Sequence, residues 1–444
     1  MSKPVQVIGI GNAIVDVIAS IEERFLDENG VEKGIMQLID TARAVELYGR
    51  MGPAREVSGG SAANTIAGLA ALGARTAYVG KVKDDQLGAI FAHDLRAQGA
   101  GYATPLAPRD HAAETGRCMV LVTPDGERSM NTYLGVSEFL APEDIDEAEM
   151  AGAEWIFLEG YRFDGPDSQA AFGKAIRATK SNGGKVAITL SDPFCVERHR
   201  DAFLAMIRAD VDLLVANEHE LCSLYLTGDL AVAMGRAEAE VPVTACTVGA
   251  RGAHVLAGGE RVHAPATAVR VVDATGAGDL FAGAFLWGLV EDFDLETCGM
   301  MGNIAASLNR QLDDLIAFVR ADGGTLVGPR GSAKRALVND LAIRVQANRA
   351  LVSAAVGSAS ELSAMFDAAM AGVMGGDLAE EFGEATLSIF GPAAALSKDA
   401  AALASVPGGG AFEYGLRQSI MYVVGGGTND VQRGLIARGL GLPR

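Results

Sequence analysis

The sequence predicts an α/β protein with a doubly wound, mostly parallel sheet and a small β lid, followed by an all-α helical-bundle segment. Over about the first 310 residues, short Val/Ile/Leu runs alternate with amphipathic segments, a pattern typical of a parallel sheet covered on both faces. After about residue 311 the strand-like runs end, and Ala-rich segments of helical character continue instead.

Continuous apolar runs predict the strands of the main sheet: Val5–Gly9, Thr76–Val79, Trp155–Leu158, Val186–Leu190, Asp212–Val215 and Val243–Val248. Amphipathic segments between them predict helices: Asn64–Ala71, Leu87–Gln98, Asp167–Lys180, Val196–Ile207 and Glu218–Leu226. Residues 14–57 and 103–135 contain alternating segments such as IMQLID and RCMVLVT. We expect these two stretches to form a small antiparallel sheet that serves as a lid.

A change in composition near residue 310 predicts two domains, 1–310 and 311–444. Residues 311–444 contain 13 acidic and 11 basic residues, a balance of −2, so residues 1–310 hold about −17 of the total of −19. The second unit is expected to contain three long helices: Ala333–Val356, Glu361–Val373 and Leu378–Phe390.

Charge and cysteine usage exclude several classes of function. A net charge of −19 argues against nucleic acid or an anionic membrane as a partner. The five cysteines form no C-x-x-C pair, which favours reduced thiols in the cytosol over a metal site. There is no secretory leader and no run of about 18 apolar residues, so we expect a cytoplasmic protein.

The segment DATGAGDLFAGAF, residues 273–285, combines an acid with a turn of small residues. Gly276, Ala277 and Gly278 leave backbone N–H groups exposed at the start of a predicted helix, and such a helix start binds anions. A carboxylate repels a bound phosphate, so its presence there calls for a function. The function of general base suits Asp279. The structural alternative is an aspartate that only caps the helix.

Three other motifs follow predicted strands or precede predicted helices. In SGGSAANT, residues 58–65, Asn64 can hydrogen-bond a polyol, although Ser61 is equally well explained as a helix cap. GNAIVD, residues 11–16, lies at the C-terminal end of the first strand, where open α/β sheets bind ligands. NEHE, residues 217–220, offers amide and carboxylate oxygens that suit a hydrated Mg²⁺, with a solvated helix start as the alternative.

Two common nucleotide-binding motifs are excluded. Gly9 and Gly11 begin a dinucleotide fingerprint, but Ile14 stands where its third glycine should be. No G-x-x-x-x-G-K-[ST] segment occurs, so the chain has no P-loop.

Together these motifs resemble the ribokinase-like family of sugar and nucleoside kinases, the phosphofructokinase-B superfamily, over about residues 4–309. The segments SGGSAANTIAGLAALGA and DATGAGDLFAGAF contribute most to this resemblance. It implies a ribokinase-like fold and transfer of the ATP γ-phosphoryl group, with Mg²⁺, to a primary hydroxyl of a nucleoside or sugar.

The resemblance also implies a role for each motif. Asp279 would be the catalytic base, and the backbone of Gly276, Ala277 and Gly278 the anion hole. The acceptor would be bound by Asp16, Gly60, Asn64 and the lid arginine Arg128. The nucleotide would be bound by Thr247, Gly249 and Gly252 of TVGARGA and by Asn303, and Mg²⁺ by Asn217 and Glu220.

Within the family, GNAIVDV, MNTYLG and TLSDPFCVERHR resemble bacterial adenosine kinases, which makes adenosine the expected acceptor and a free sugar the rival. The tail, residues 311–444, is similar to the C-terminal helical domain of acyl-CoA dehydrogenases, through LDDLIAFVRADGG and GGTNDVQRGLIARGLGLPR. The domains that would complete a flavin site are missing, and Gly426 stands where many members have a glutamate. We therefore expect no dehydrogenase activity.

The junction near residue 310 leaves a second hypothesis open. After GNIAASLNRQ the kinase family normally adds a closing segment near the nucleotide, which this chain replaces with the other pattern. The chain would then be a catalytically weak, kinase-like scaffold, assembled into homo-oligomers by the apolar faces of its helical tail.

Overall fold

The architecture is known from a computed structural model that describes residues 3–124, 127–165, 167–266, 276–303 and 305–306. The three helices predicted within 311–444 lie outside the described residues. The strands are β1 Val5–Ile10, β2 Ile14–Ser20, β3 Met36–Leu38, β4 Arg55–Gly59, β5 Thr76–Val79, β6 Gly101–Tyr102, β7 Gly116–Val122, β8 Arg128–Tyr133, β9 Ala153–Glu159, β10 Lys185–Thr189, β11 Leu213–Asn217, β12 Val243–Thr247, β13 Ala253–Ala257 and β14 Glu260–Ala264.

The helices are α1 Glu23–Glu28, α2 Thr41–Arg50, α3 Ser61–Ala71, α4 Gln86–Ala97, α5 Glu147–Ala151, α6 Ser168–Lys180, α7 Pro193–Asp210, α8 Glu218–Leu224, α9 Leu230–Glu240 and α10 Ala277–Val290. Residues 295–303 are also helical. No helix within the described ranges is long and apolar enough to cross a membrane.

A large sheet forms the centre of the fold, with strand order β14-β13-β12-β11-β10-β9-β1-β5-β6. From β12 to β6 all neighbouring strands are parallel. The predicted six strands all lie in this parallel part, with ends that differ by at most two residues. Their side chains are buried on both faces, which explains why they read as continuous apolar runs. The antiparallel hairpin β13–β14 extends one edge.

A smaller sheet with strand order β3-β8-β7-β2-β4 comes from the two stretches predicted to form the lid. The expectation that it is antiparallel holds for the pairs β2–β4 and β7–β8 and is wrong for β2–β7 and β3–β8, which are parallel. The chain passes through the large sheet between β2 and β7, so no tight turn dictates their direction. One face of the small sheet packs on α1 and α2 around Leu26, Leu47, Met119 and Leu121.

The predicted helices are present in the described part, and most begin earlier than the periodicity indicated. Helix α3 begins at Ser61 rather than Asn64, because Gly60 has φ +102° and turns the chain directly out of β4. Helix α7 begins at Pro193, after Asp192, whose carboxylate accepts a hydrogen bond of 2.7 Å from the backbone N–H of Cys195.

Candidate active site

The described part of DATGAGDLFAGAF begins at Gly276, and Asp273 to Thr275 lie outside it. Gly276 has φ +72°, and its carbonyl accepts the first helical hydrogen bond of α10, from Leu280 N at 3.0 Å. The N–H groups of Ala277, Gly278 and Asp279 therefore have no acceptor within the helix. Among the residues that the structure describes, none outside this turn has an atom within 4 Å of a Cβ built on Gly278. Free backbone N–H groups at a helix start are the feature on which the prediction of an anion hole depends.

Asp279 is held by two side chains of α3. Ser61 Oγ donates to Asp279 Oδ1 at 2.6 Å, and Asn64 Nδ2 donates to Oδ2 at 3.0 Å. Burial raises the pKa of Asp279 to about 6, against the opposing effect of these two hydrogen bonds. A carboxylate with a pKa near 6 is ionised at neutral pH yet basic enough to take a proton. Each carboxylate oxygen of Asp279 thus accepts a hydrogen bond from a side chain of α3.

Asp16 lies on β2 in the small sheet, close to the same site. A Cβ on Gly59 would lie 2.5 Å from Asp16 Cγ, so only glycine fits beside this carboxyl group. Burial raises the pKa of Asp16 to about 6; the charge of Arg128 lowers it, and the charge of Asp279 raises it further. Asp16, Arg128 and Asp279 therefore act on one another electrostatically, as residues of one site would.

Asn217 and Glu220 form a reciprocal capping box at the start of α8. Asn217 Oδ1 accepts from Glu220 N at 2.9 Å, while the two carboxylate oxygens of Glu220 accept from Asn217 N at 2.9 Å and Asn217 Nδ2 at 2.6 Å. Glu220 is buried, which raises its pKa to about 7, and the charges of Asp192 and Asp279 add to that increase. Within the described ranges no cluster of three or more acidic, His or Cys side chains is arranged to enclose a metal ion.

Two of the residues predicted for the nucleotide, Gly252 and Asn303, meet at the carbonyl of Ala264. Thr247 ends β12, Gly249 has φ +60°, and Gly252 has φ +99°. A Cβ on Gly252 would lie 2.1 Å from Ala264 O. Asn303 is buried and donates to Ala264 O at 2.9 Å, which joins the helix at 295–303 to the turn. The sequence thus located two distant segments that the fold brings together.

Sequence reasoning missed a buried polar group behind the site. Glu159, at the end of β9, is 1 % exposed and accepts a hydrogen bond of 2.9 Å from Ala62 N, in the first turn of α3. Burial raises its pKa to about 7. Asn12 donates a hydrogen bond to Glu159, and Arg162 donates one to Asn12. The available signal was an acid that closes an otherwise apolar strand, AEWIFLE, at the carboxyl edge of a parallel sheet.

An acid at the start of an anion-binding helix, in a doubly wound sheet with a small sheet beside it, defines a phosphotransferase of the α/β class. The chain belongs to the pfkB family of carbohydrate kinases, whose family model matches residues 34–319. A second family model, for the C-terminal domain of acyl-CoA dehydrogenase, matches residues 290–441. Both predicted resemblances are confirmed.

Individual relatives agree on the fold and differ in substrate. An ATP-dependent ribose-1-phosphate kinase of Halopiger xanaduensis is 33% identical over 57% of this chain and 80% of its own length. The structure of an adenosine kinase from Sinorhizobium meliloti is 46% identical with a TM-score of 0.65, covering 69% of this chain and 94% of that one. A probable sugar kinase from Rhizobium etli has the same identity and TM-score, covering 70% and 94%.

Proposed function

We propose that this protein transfers the γ-phosphoryl group of ATP, with Mg²⁺, to the primary hydroxyl of a nucleoside, most specifically adenosine. The observation that supports this best is Asp279 in the first turn of α10, with Ser61 and Asn64 bonded to its two oxygens. A free sugar is the rival acceptor.

In this proposal Asp279 takes the proton from the attacking hydroxyl. Its pKa of about 6 leaves it ionised at pH 7. The backbone N–H groups of Ala277 and Gly278 stabilise the charge that develops on the transferred group. Asp16 and Asn64 hold the other hydroxyls of the acceptor, and Gly60 lets the backbone approach it closely. Arg128 meets the transferred phosphate from the small sheet.

The family uses ATP with Mg²⁺, and amide and carboxylate oxygens such as those of Asn217 and Glu220 are ligands that Mg²⁺ accepts. The charges of Asp192 and Asp279 both raise the pKa of the buried Glu220, so a cation bound near these carboxylates would relieve their repulsion. Because both oxygens of Glu220 accept from Asn217, we infer that this pair holds Mg²⁺ through water. A mostly hydrated, phosphate-bound ion is what Mg²⁺ prefers. Bound Mg²⁺ would neutralise phosphate charge.

The nucleotide would lie against the turn that follows β12. Gly249 leaves the backbone of this turn free of a side chain, while Gly252 lets the turn pack against Ala264, whose carbonyl also accepts from Asn303. This arrangement suits close approach of a phosphate or a flat base to the backbone.

The small sheet favours a nucleoside over a fully hydroxylated sugar. The strand register sets one row of side chains on the face that bears Asp16: Asp16, Cys118, Thr132 and Leu38. The next row is apolar throughout: Ile18, Val120, Met130 and Met36. Leu38 and Met36 are 52% and 37% exposed, an apolar surface on which a purine ring would be buried.

The test is ATP-to-ADP turnover with Mg²⁺ by the full chain, comparing adenosine, inosine, ribose, ribose 1-phosphate and fructose. We expect turnover with adenosine at a kcat/KM at least about tenfold above any sugar, because only the nucleoside buries an aromatic ring. Replacing Asp279 with Asn, which keeps the shape and removes the base, should lower kcat by about 10²–10⁴-fold.

Each part of the proposal has its own contrary result. Preference for ribose 1-phosphate or fructose would refute the nucleoside assignment while leaving the kinase intact. Asp279→Asn with full turnover would refute the base. A folded protein that turns over none of the acceptors and binds no ATP would favour the kinase-like scaffold instead.

A further inference from the structure

The small sheet is connected to the large sheet at four places in the described part of the chain. The chain passes between them at 11–13, at Gly60, at 103–115 and at 134–135. Any movement of the small sheet toward Asp279 must be accommodated at these passages. A buried group of polar side chains includes Asn12 of the first passage, and it bonds to backbone groups two to five residues beyond the second and the fourth.

Arg162 is the cation of this group and is 1% exposed. Its guanidinium donates to Asn12 Oδ1 at 3.0 Å in the first passage, and to the carbonyls of Ser137 and Leu140 just after the fourth. It also donates to Ser168 Oγ at the start of α6, which anchors it to the body of the large sheet. The planar fork of an arginine can satisfy several acceptors in fixed directions at once.

Glu159 is the buried carboxyl group of this cluster, and it bonds to the first passage and to the first turn of α3, which follows the second passage. Its Oε1 accepts from Asn12 Nδ2 at 3.0 Å and from Asn12 N at 3.3 Å. Its Oε2 accepts from Ala62 N at 2.9 Å, two residues after Gly60. A Cβ on Gly11 would lie 2.4 Å from that oxygen, so the first passage lies directly against the carboxylate.

The side chain of Asn12 links the two charges. Its amide nitrogen donates to Glu159, and its oxygen accepts from Arg162 and, at 3.3 Å, from Ser137 Oγ. Every polar atom of this side chain therefore has a partner within the group. These hydrogen bonds of Asn12 join residues that lie 125 to 150 positions apart in the sequence. The group therefore connects segments that are distant along the chain.

We propose that Arg162 is a positioning residue which, with Glu159 and Asn12, fixes the passages between the two sheets and thereby the alignment of the acceptor site with Asp279. The connection to the site is α3: Glu159 holds its first turn, and Ser61 and Asn64 of that helix bond to Asp279. The inference rests on the proposed role of Asp279, and its test is built to be read separately from that role.

Removing one member of this hydrogen-bonded group should destabilise its surroundings more than trimming an apolar side chain in the core would. A buried charge is tolerated only while its hydrogen bonds are satisfied, so loss of Arg162 leaves Asn12 Oδ1, the carbonyls of Ser137 and Leu140, and the Glu159 carboxylate without their cation. Asn12 lies in the first passage, and Ser137 and Leu140 lie just after the fourth. Loss of Arg162 should therefore increase local opening of the passages rather than of the large sheet.

The experiment compares the full chain with its Arg162→Met variant by hydrogen–deuterium exchange, without substrates. We expect exchange to quicken by about fivefold or more in peptides covering residues 11–14 and 134–140, and to stay unchanged in β10. In the same variant the KM of the acceptor should rise by about fivefold or more while the KM of ATP changes less than about twofold. Arg162→Lys, which keeps the charge but offers fewer directed donors, should give smaller changes of the same kind.

The matched control is Ile207→Val, which trims a buried side chain of α7 that makes no contact with the group. Unchanged exchange in both passage peptides would overturn the proposal, as would equal increases of both KM values or the same pattern in Ile207→Val. If Arg162→Met does not fold, Arg162→Lys is judged by the same criteria. If wild-type protein phosphorylates no acceptor, the proposed function fails while the exchange result still decides the network.

Discussion

Two carboxyl groups at the candidate site, Asp16 and Asp279, have a pKa of about 6 where an exposed aspartate would have one near 4. Burial is the main cause for both, and the hydroxyl of Ser61 and the amide of Asn64 oppose it at Asp279. A base must be ionised before it accepts a proton. These residues therefore define a pH range in which the enzyme would be active.

We predict that kcat/KM falls by about tenfold per pH unit below about pH 6, because Asp279 becomes protonated there. Ser61→Ala removes a hydrogen bond that lowers the pKa of Asp279, so its acid limb should move to higher pH. The measurement is the pH profile of turnover under acceptor-limiting conditions.

Ser58→Ala provides the control for that profile. Ser58 lies on β4, three residues before Ser61, and its hydroxyl accepts from Gln98 instead of donating to Asp279, so the acid limb of Ser58→Ala should match wild type. An acid limb that stays in place in Ser61→Ala would contradict the assignment of the limb to Asp279.

The residues that sequence reasoning could locate at the site are those with a local motif around them. Asp279 follows a Gly-Ala-Gly turn and Asn64 follows SGGSAA, so the neighbouring residues mark them. Arg162 and Glu159 have no such marker, because the partners that connect them to the site, Asn12 and Ala62, lie about 100 to 150 residues away. Only the folded chain identifies such a network.

At the scale of elements, the turn between β12 and β13 has two glycines with positive φ that differ in their surroundings. A Cβ on Gly252 would lie 2.1 Å from the carbonyl oxygen of Ala264, whereas a Cβ on Gly249 would meet nothing within 4 Å. Replacing either glycine with alanine forces a left-handed conformation on the alanine, but only Gly252→Ala also adds a clash with the backbone. The pair separates conformational strain from packing.

We predict that Gly249→Ala lowers the free energy of unfolding by about 1–2 kcal/mol, the cost of the left-handed conformation. Gly252→Ala should lower the free energy of unfolding clearly more. Its KM for ATP should also rise, because the turn must move away from Ala264 and Asn303. Denaturant unfolding and ATP kinetics measure the two effects. Equal losses in both variants would contradict the role of the Ala264 contact.

The strands of the large sheet were predictable because each is buried on both faces and therefore reads as a short apolar run, as Val186–Leu190 does. The pairing of the small sheet was not predictable in the same way. Its strands β2 and β7 pair in parallel across about 100 residues, and alternation fixes which side chains share a face but not the direction of a neighbour. The hairpin β13–β14 was missed because Glu260–Ala264 is too polar to resemble the other strands.

At the scale of the whole molecule, two family patterns meet in one chain. The kinase match ends at residue 319 and the dehydrogenase-like match begins at residue 290, so they overlap over 290–319. Asn303, which fixes the nucleotide turn, lies inside the overlap. We propose that the second segment adds self-association to a kinase domain rather than a second activity, because the helices that the sequence predicts for it would have apolar faces that need a partner.

We predict that residues 311–444 determine the oligomeric state of the protein. Sedimentation should show the full chain as a dimer or larger, and truncated chains ending at residues 310 and 319 as monomers. The chain ending at 319 keeps the whole kinase match, so comparing the ATP affinity of the two truncations also tests whether residues 311–319 complete the nucleotide site. Monomers throughout would refute association through the tail. Association that survives both truncations would assign it to the kinase domain, where the exposed side chains of Met36 and Leu38 are the first apolar surface to examine.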